Sequence, residues 1–345
     1  MRLNRQAVLS CALAGTLALA ACGRAATSFG LLPAAPARFQ ALVVGAPDPQ
    51  GNQVTLLYDS AAARALTTLV PGNASDPRFD GPDRVSYLMP TGVESTDAAT
   101  GSPRTEASDT TLLAGGHAWS SKGALAYLAY PASPSPDRPS ELEIRPAGGG
   151  PTMVRLPATT GRTQLRFSPD GSLLLVADST TLQVRRLDGS LAFAPTAGVD
   201  VYPSDATWGS DGTLYFGDAR GVSAGNPLTG ETRAVLPGVR WYDPASSPDG
   251  RHVVFEVRDQ QKLPHLRMLD TATGAIVSGF SLAGASHALF VSPTELWYHE
   301  EAVCDRCAAP TQATGEILRY DMTRRTERLT GVSGFVADVR TLRDS

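Results

Sequence analysis

Five polar residues stand at comparable places along the chain: His117, Gln164, Asp205, Asp243 and His287. Imidazole and carboxylate groups brought to one point can hold a divalent metal, or act as acid and base on a bound ligand. The alternative is that they bond water and neighbouring loops beside a solvent-filled opening. His252 and His265 do not share the position. A second group is Cys304-Asp305-Arg306-Cys307, between expected strands at Glu295–His299 and Glu316–Asp321. Zinc would need further ligands; His299, Glu300 and Glu301 are near in sequence, but there is no second CxxC. A redox-active pair belongs at the start of a helix, where the dipole lowers a thiol pKa, and a hairpin lacks that. In an oxidising compartment the expected state is a disulfide between Cys304 and Cys307. Gly221-Val222-Ser223-Ala224-Gly225 has the spacing of a nucleophile elbow, but Asn226-Pro227 forbids the helix an elbow requires, so the match is coincidental.

What would position the five polar residues is clearest between Gln164 and Gly189. Ser168-Pro169-Asp170-Gly171 is a tight-turn signature: proline presets φ, aspartate bonds back to the backbone, and glycine takes the positive φ. Apolar runs follow at Leu173 to Val176 and Leu182 to Leu187, then a second turn at Asp188-Gly189. The unit recurs. The first turn returns at Gly212 and Gly250, in steps of 41 and 38 residues, and the second at Gly230 and Gly274, in steps of 41 and 44. Two landmarks sharing a period of about 40 residues, with several short strands per step, indicate an all-β fold, a β-propeller of four-stranded blades.

Strand-rich blocks begin near Phe39, Arg84, His117, Gln164, Asp205, Asp243 and His287, which makes seven blades. The first block has no innermost strand, whereas Phe335 to Leu342 is a strand left over at the end. Pairing the two closes the ring and removes the open edge. Six blades is the alternative, with the second block as an insertion, because Thr91 to Asp109 is polar and loop-like. Each of the five polar residues then stands just ahead of an inner strand, so they could converge on one mouth of the central channel. Trp119, Trp208 and Trp297 fall in repeat strands and are expected to pack between blades; Trp241 lies in a connecting stretch and is a candidate for exposure.

Phe167-Ser168-Pro169-Asp170-Gly171 with Leu173 to Val176, and its echoes at Trp208 to Phe216 and Ser246 to Phe255, resembles the repeats of TolB-type propellers. The resemblance covers most of residues 117 to 330. It implies an extracytoplasmic propeller; family members include envelope scaffolds, propellers joined to peptidases, and lyases, some of which use channel histidines with a metal.

Arg2 and Arg5 precede an apolar segment from Ala7 to Ala21, which fits a signal-peptide core better than a membrane span. Leu19-Ala20-Ala21-Cys22 resembles the bacterial lipobox, in which cleavage leaves an acylated cysteine at the new N-terminus. The expected organisation is a signal peptide over residues 1–21, the lipidated Cys22 and a flexible tether over 22–38, and the propeller over 39–345. The formal charge of −4 falls to −6 once Arg2 and Arg5 leave, and no basic stripe remains to track phosphates, so nucleic acid is disfavoured as a partner. No motif calls for a cofactor, and none is assigned; no complete metal-ligand set is assigned either. Membrane contact through the N-terminal lipid and an envelope protein or glycan as partner are the expected associations. A channel-mouth, metal-assisted lyase or hydrolase using His117, His287, Asp205 and Asp243 is the rival, and a purely structural envelope protein is a third possibility.

Overall fold

A computed structural model describes residues 39–45, 54–60, 64–68, 74–80, 84–97, 100–108, 112–131, 140–157, 163–178, 181–195, 205–300 and 316–341. Cys22, the proposed tether, and Cys304 with Cys307 lie outside these residues. Every regular element described is a strand.

The strands form seven antiparallel sheets arranged as the blades of a propeller. Blade 1 is composite. Its innermost strand is Phe335–Thr341, paired to Phe39–Gly45, which is followed outward by Val54–Asp59 and Arg64–Thr68. The innermost strands of blades 2 to 7 are Ser75–Asp80, Leu112–Trp119, Gln164–Phe167, Ala206–Trp208, Tyr242–Ser246 and Ala285–Ser292. The closing pair is fixed by side chains as well as by the ladder: the Arg340 guanidinium donates to Gln40 Oε1 and stacks 4.3 Å from the Phe79 ring centroid.

The apolar runs of the repeats follow from burial on both faces. Successive side chains of a strand point to opposite sides, and here each side meets a different blade. In Leu173–Ala177, Leu174 and Val176 join blade 3's Leu128, Leu142 and Ile144, while Leu173, Leu175 and Ala177 join blade 5's Trp208, Leu214 and Phe216. A strand buried twice has no polar face to spare. Among the described residues seven such cores occur, one between each pair of neighbouring blades, and the one between blades 7 and 1 packs Trp297 edge-on to Phe39 and Tyr58.

The Ser-Pro-Asp-Gly turns form as their chemistry dictates. Gly171 takes φ 70° and its N–H donates to Ser168 O at 2.8 Å, while Ser168 Oγ donates to Asp170 Oδ1 at 2.6 Å. The Ser168 hydroxyl, with the hydroxyl and the N–H of Ser172, holds the Asp170 carboxyl down to about 2. Ser247-Pro248-Asp249-Gly250 repeats the arrangement, with Ser247 Oγ donating to Asp249 Oδ1 at 2.7 Å.

Blade 2 is complete, so the ring has seven blades. The stretch that reads as loop contains the strands Gly92–Asp97 and Pro103–Ser108. Its polarity is satisfied across the sheet: Ser95 Oγ donates to Glu106 Oε1 at 2.5 Å and accepts from Arg84 Nε at 2.9 Å, each from a different strand. A cross-strand polar network replaces the apolar pairs that mark the other blades.

Candidate functional site

The inner strands bound a central cavity of about 400 Å³ lined by residues of all seven blades, among them Arg78, His117, Arg166, Thr207, Ser246, Leu289 and Asp338. A strand that edges a channel alternates between a face that meets its neighbour blades and groups that reach the opening.

Five of the described inner strands are bulged, and in three of them the bulge sets a polar residue. In blade 2, Asp76-Pro77 stands opposite the single residue Tyr87; in blade 6, Asp243-Pro244 stands opposite Phe255; in blade 7, His287-Ala288 stands opposite Tyr298. The first residue of each bulge is left-handed, with φ of 48° at Asp76, 46° at Asp243 and 49° at His287. Aspartate and histidine are among the side chains that tolerate this region, and proline is admitted because a bulge at a sheet edge has no ladder bond to lose. His117, Asp243 and His287 therefore lie inside their strands rather than ahead of them, which corrects the sequence expectation. The strands begin earlier, because the bulges break the simple alternation used to place them.

The five polar residues do not share one point; the side chains of four of them tie their blade to a neighbour. His117 of blade 3 is buried, with Nε2 sharing a 2.9 Å hydrogen bond with Ser86 Oγ of blade 2 and Nδ1 3.7 Å from Asp76 Oδ2. Burial drives its pKa down to about 4, so the ring is neutral at pH 7; Asp76 opposes that shift and Arg78 adds to it. Gln164 Nε2 of blade 4 donates to Ala206 O of blade 5 at 3.1 Å. Asp243 of blade 6 and His287 of blade 7 are joined at 3.1 Å. Asp205 is buried elsewhere, beside a separate cavity of about 140 Å³ with Asp218, Arg240 and Trp241, and its carbonyl accepts from the Trp241 indole at 3.0 Å. Among the described residues no three His, Cys, Asp or Glu side chains are grouped so as to hold a metal ion.

Trp241 is a second correction. It is 1% exposed, tilted 5.4 Å from Phe255 in the core between blades 5 and 6. A connecting segment can be as buried as a strand when it crosses from the rim of one blade to the channel side of the next. Ser223, the centre of the elbow-like motif, lies in the strand Gly221–Gly225 and is fully buried, donating to Asp218 Oδ2 at 2.8 Å.

Sequence reasoning missed the charged residues that do border the cavity. Arg78 is held by Asp76 at 2.9 Å, which raises its pKa above the ordinary arginine value. Asp338 Oδ2 accepts from the Phe79 N–H at 2.9 Å, joining blade 1 to blade 2, and burial raises its carboxyl above the usual range while Arg78 opposes. Arg166 is pushed down to about 10, by burial first and Arg78 second, and remains charged at pH 7. The available signal was the repeated Asp-Pro, at 76–77 and 243–244, at the start of two inner strands.

No family model matches this chain, and no curated protein matches it. Solved structures do. A functionally unknown protein from Desulfotomaculum acetoxidans DSM 771 is similar with a TM-score of 0.58 at 11% identity, over 90% of this chain and 100% of that one. Dihydro-heme d1 dehydrogenase NirN in complex with DHE is similar with a TM-score of 0.58 at 14% identity, over 90% of this chain and 76% of that one. TolB from Acinetobacter baumannii is similar with a TM-score of 0.45 at 16% identity; the match covers 74% of this chain and 65% of TolB, and likeness at that level carries no argument. Such identities speak to fold alone. What the topology and these neighbours establish together is an all-β, seven-bladed propeller.

Proposed function

We propose that this chain is a lipid-anchored, extracytoplasmic propeller that serves as a protein- or glycan-binding and assembly module at the cell envelope. The observation that carries the module role is the use made of the inner-strand polar residues. His117, Gln164, Asp243 and His287 are each committed to an adjacent blade, so they brace the disc, and His117 and His287 have different partners rather than a common ligand position. A braced disc presents its connecting loops from a rigid frame, which suits recognition of a large partner. The anchor is supported by Arg2, Arg5, the Ala7 to Ala21 segment and Leu19-Ala20-Ala21-Cys22.

The test is metabolic labelling of the full chain in a bacterium with an alkynyl fatty acid, followed by membrane fractionation and cross-linking in the envelope. Wild type is expected to carry the label, sediment with membranes and cross-link to a defined envelope partner; Cys22→Ser is expected to lose label and membrane association. Label retained by Cys22→Ser would overturn the anchor. A wild-type chain that cross-links to nothing would overturn the module role.

A further inference from the structure

Arg166 is the charged residue of the cavity whose charge is not locally matched. Among the described residues its side chain makes one hydrogen bond, to Thr207 Oγ1 at 3.0 Å, and no ion pair. A guanidinium has five N–H donors, and on the half-buried Arg166 this bond uses only one of them. The carboxylates that act on it at longer range are otherwise engaged: Asp76 with Arg78 at 2.9 Å, Asp243 with His287 at 3.1 Å, and Asp338 with the N–H groups of Phe79 and Val339, each at 2.9 Å.

The guanidinium is also held in place. Ser246 Oγ donates to Trp208 O at 2.5 Å, so the weaker 3.4 Å contact between Thr207 and Ser246 is left for the Thr207 proton. That directs a lone pair of Thr207 at Arg166, which can only donate. Trp208 closes the loop, its indole N–H donating to Arg166 O at 3.0 Å. The same cavity wall includes Trp119, whose buried indole N–H has no acceptor among the described residues.

We propose that the central cavity binds a small organic monocarboxylate. Arg166 receives the carboxylate, and the partly exposed Trp119, Leu289 and Val339 of the same lining receive its apolar body. The volume of about 400 Å³ lies within the range of small-molecule sites. A single negative charge is favoured over a dianion such as phosphate, because Asp76, Asp243 and Asp338 add a negative field that a second charge would meet. The site is independent of the envelope role proposed above.

The experiment is titration of the full chain with benzoate, followed by calorimetry and ligand-observed NMR, with benzamide, inorganic phosphate and chloride at equal ionic strength as comparisons. Wild type is expected to bind benzoate saturably at one site, and benzamide, phosphate and chloride at least tenfold more weakly. Arg166→Gln, which can still donate to Thr207, is expected to weaken benzoate at least tenfold with its melting temperature close to wild type. Arg166→Lys, which retains charge should Arg166→Gln unfold, is expected to bind with intermediate affinity. Absence of saturable benzoate binding to wild type would overturn the site. So would unchanged binding in both variants, or benzamide, phosphate or chloride matching benzoate.

Discussion

His287 Nδ1 lies 3.1 Å from Asp243 Oδ2, and both residues hold left-handed backbone, at φ of 49° and 46°. Two bulges in adjacent inner strands thus turn their side chains toward each other, and the contact joins blade 6 to blade 7.

If that conformation is held by the fold, the choice of residue at 287 matters more than its exposed contact with Asp243 does. Glycine adopts positive φ freely, whereas a β-branched residue there is strained by about 1–3 kcal/mol. His287→Val is therefore expected to be less stable than His287→Gly by about 1–2 kcal/mol, although both lose the contact with Asp243. Urea denaturation of the two variants checks this. Equal stabilities would mean that the bulge relaxes.

His117 makes stability depend on acid. Its pKa is about 4 in the fold against an ordinary 6.5, so between those values the unfolded chain binds more protons than the native one. Stability contributed by the neutral ring is complete above pH 6.5 and falls as the pH drops toward 4, by on the order of 3 kcal/mol in all. His117→Asn is expected to flatten this slope while losing stability at pH 7, since its amide replaces the bond to Ser86 imperfectly. Parallel slopes from pH 7 to 4 in thermal melts of the two proteins would refute the assignment.

Much of the fold is legible in the sequence because turns carry local chemistry. Ser168 to Gly171 and Ser247 to Gly250 need the same residues for the same bonds, so their spacing gives the repeat, and the unpaired strand at the end gives ring closure. Blade 2 is harder to see, since Arg84, Ser95 and Glu106 use charge where its neighbours use leucine. The candidate site is less legible still. Position in a repeat brings a residue near the channel, but a bulge decides where it points, as at Asp76, Asp243 and His287. Arg166 reads as one polar residue of an alternating strand, and only the curvature of the ring turns that face into a cavity wall.

Trp241 links two cores through one hydrogen bond. Trp241→Phe keeps the ring against Phe255 but removes the 3.0 Å indole bond to the Asp205 carbonyl, which also accepts from Gly217 at 3.3 Å. Loss of the bond and of side-chain volume is expected to cost about 1–3 kcal/mol in denaturant unfolding. The variant's spectrum should also lose the blue-shifted emission component of the buried indole. A variant as stable as wild type would show the indole bond to contribute nothing net.

Ending the chain at Gly334 removes the innermost strand of blade 1 and uncovers the ladder edge of Phe39–Gly45. Open apolar edges pair with other chains. The shortened protein is expected to elute earlier than the intact chain in size-exclusion chromatography, and an unchanged elution volume with an unchanged melting temperature would show the closing strand to be dispensable.

The composite blade also sets a clock. Gln40 waits for Arg340, its partner across 300 residues, whereas the other blades are assembled from segments that leave the ribosome one after another. At ordinary rates of synthesis that delay is roughly 15 to 60 s. Throughout it the growing molecule is an arc with a bare end, and the last-made strand turns arc into ring in a single pairing step. Unfinished chains are thus the form most open to mutual entanglement.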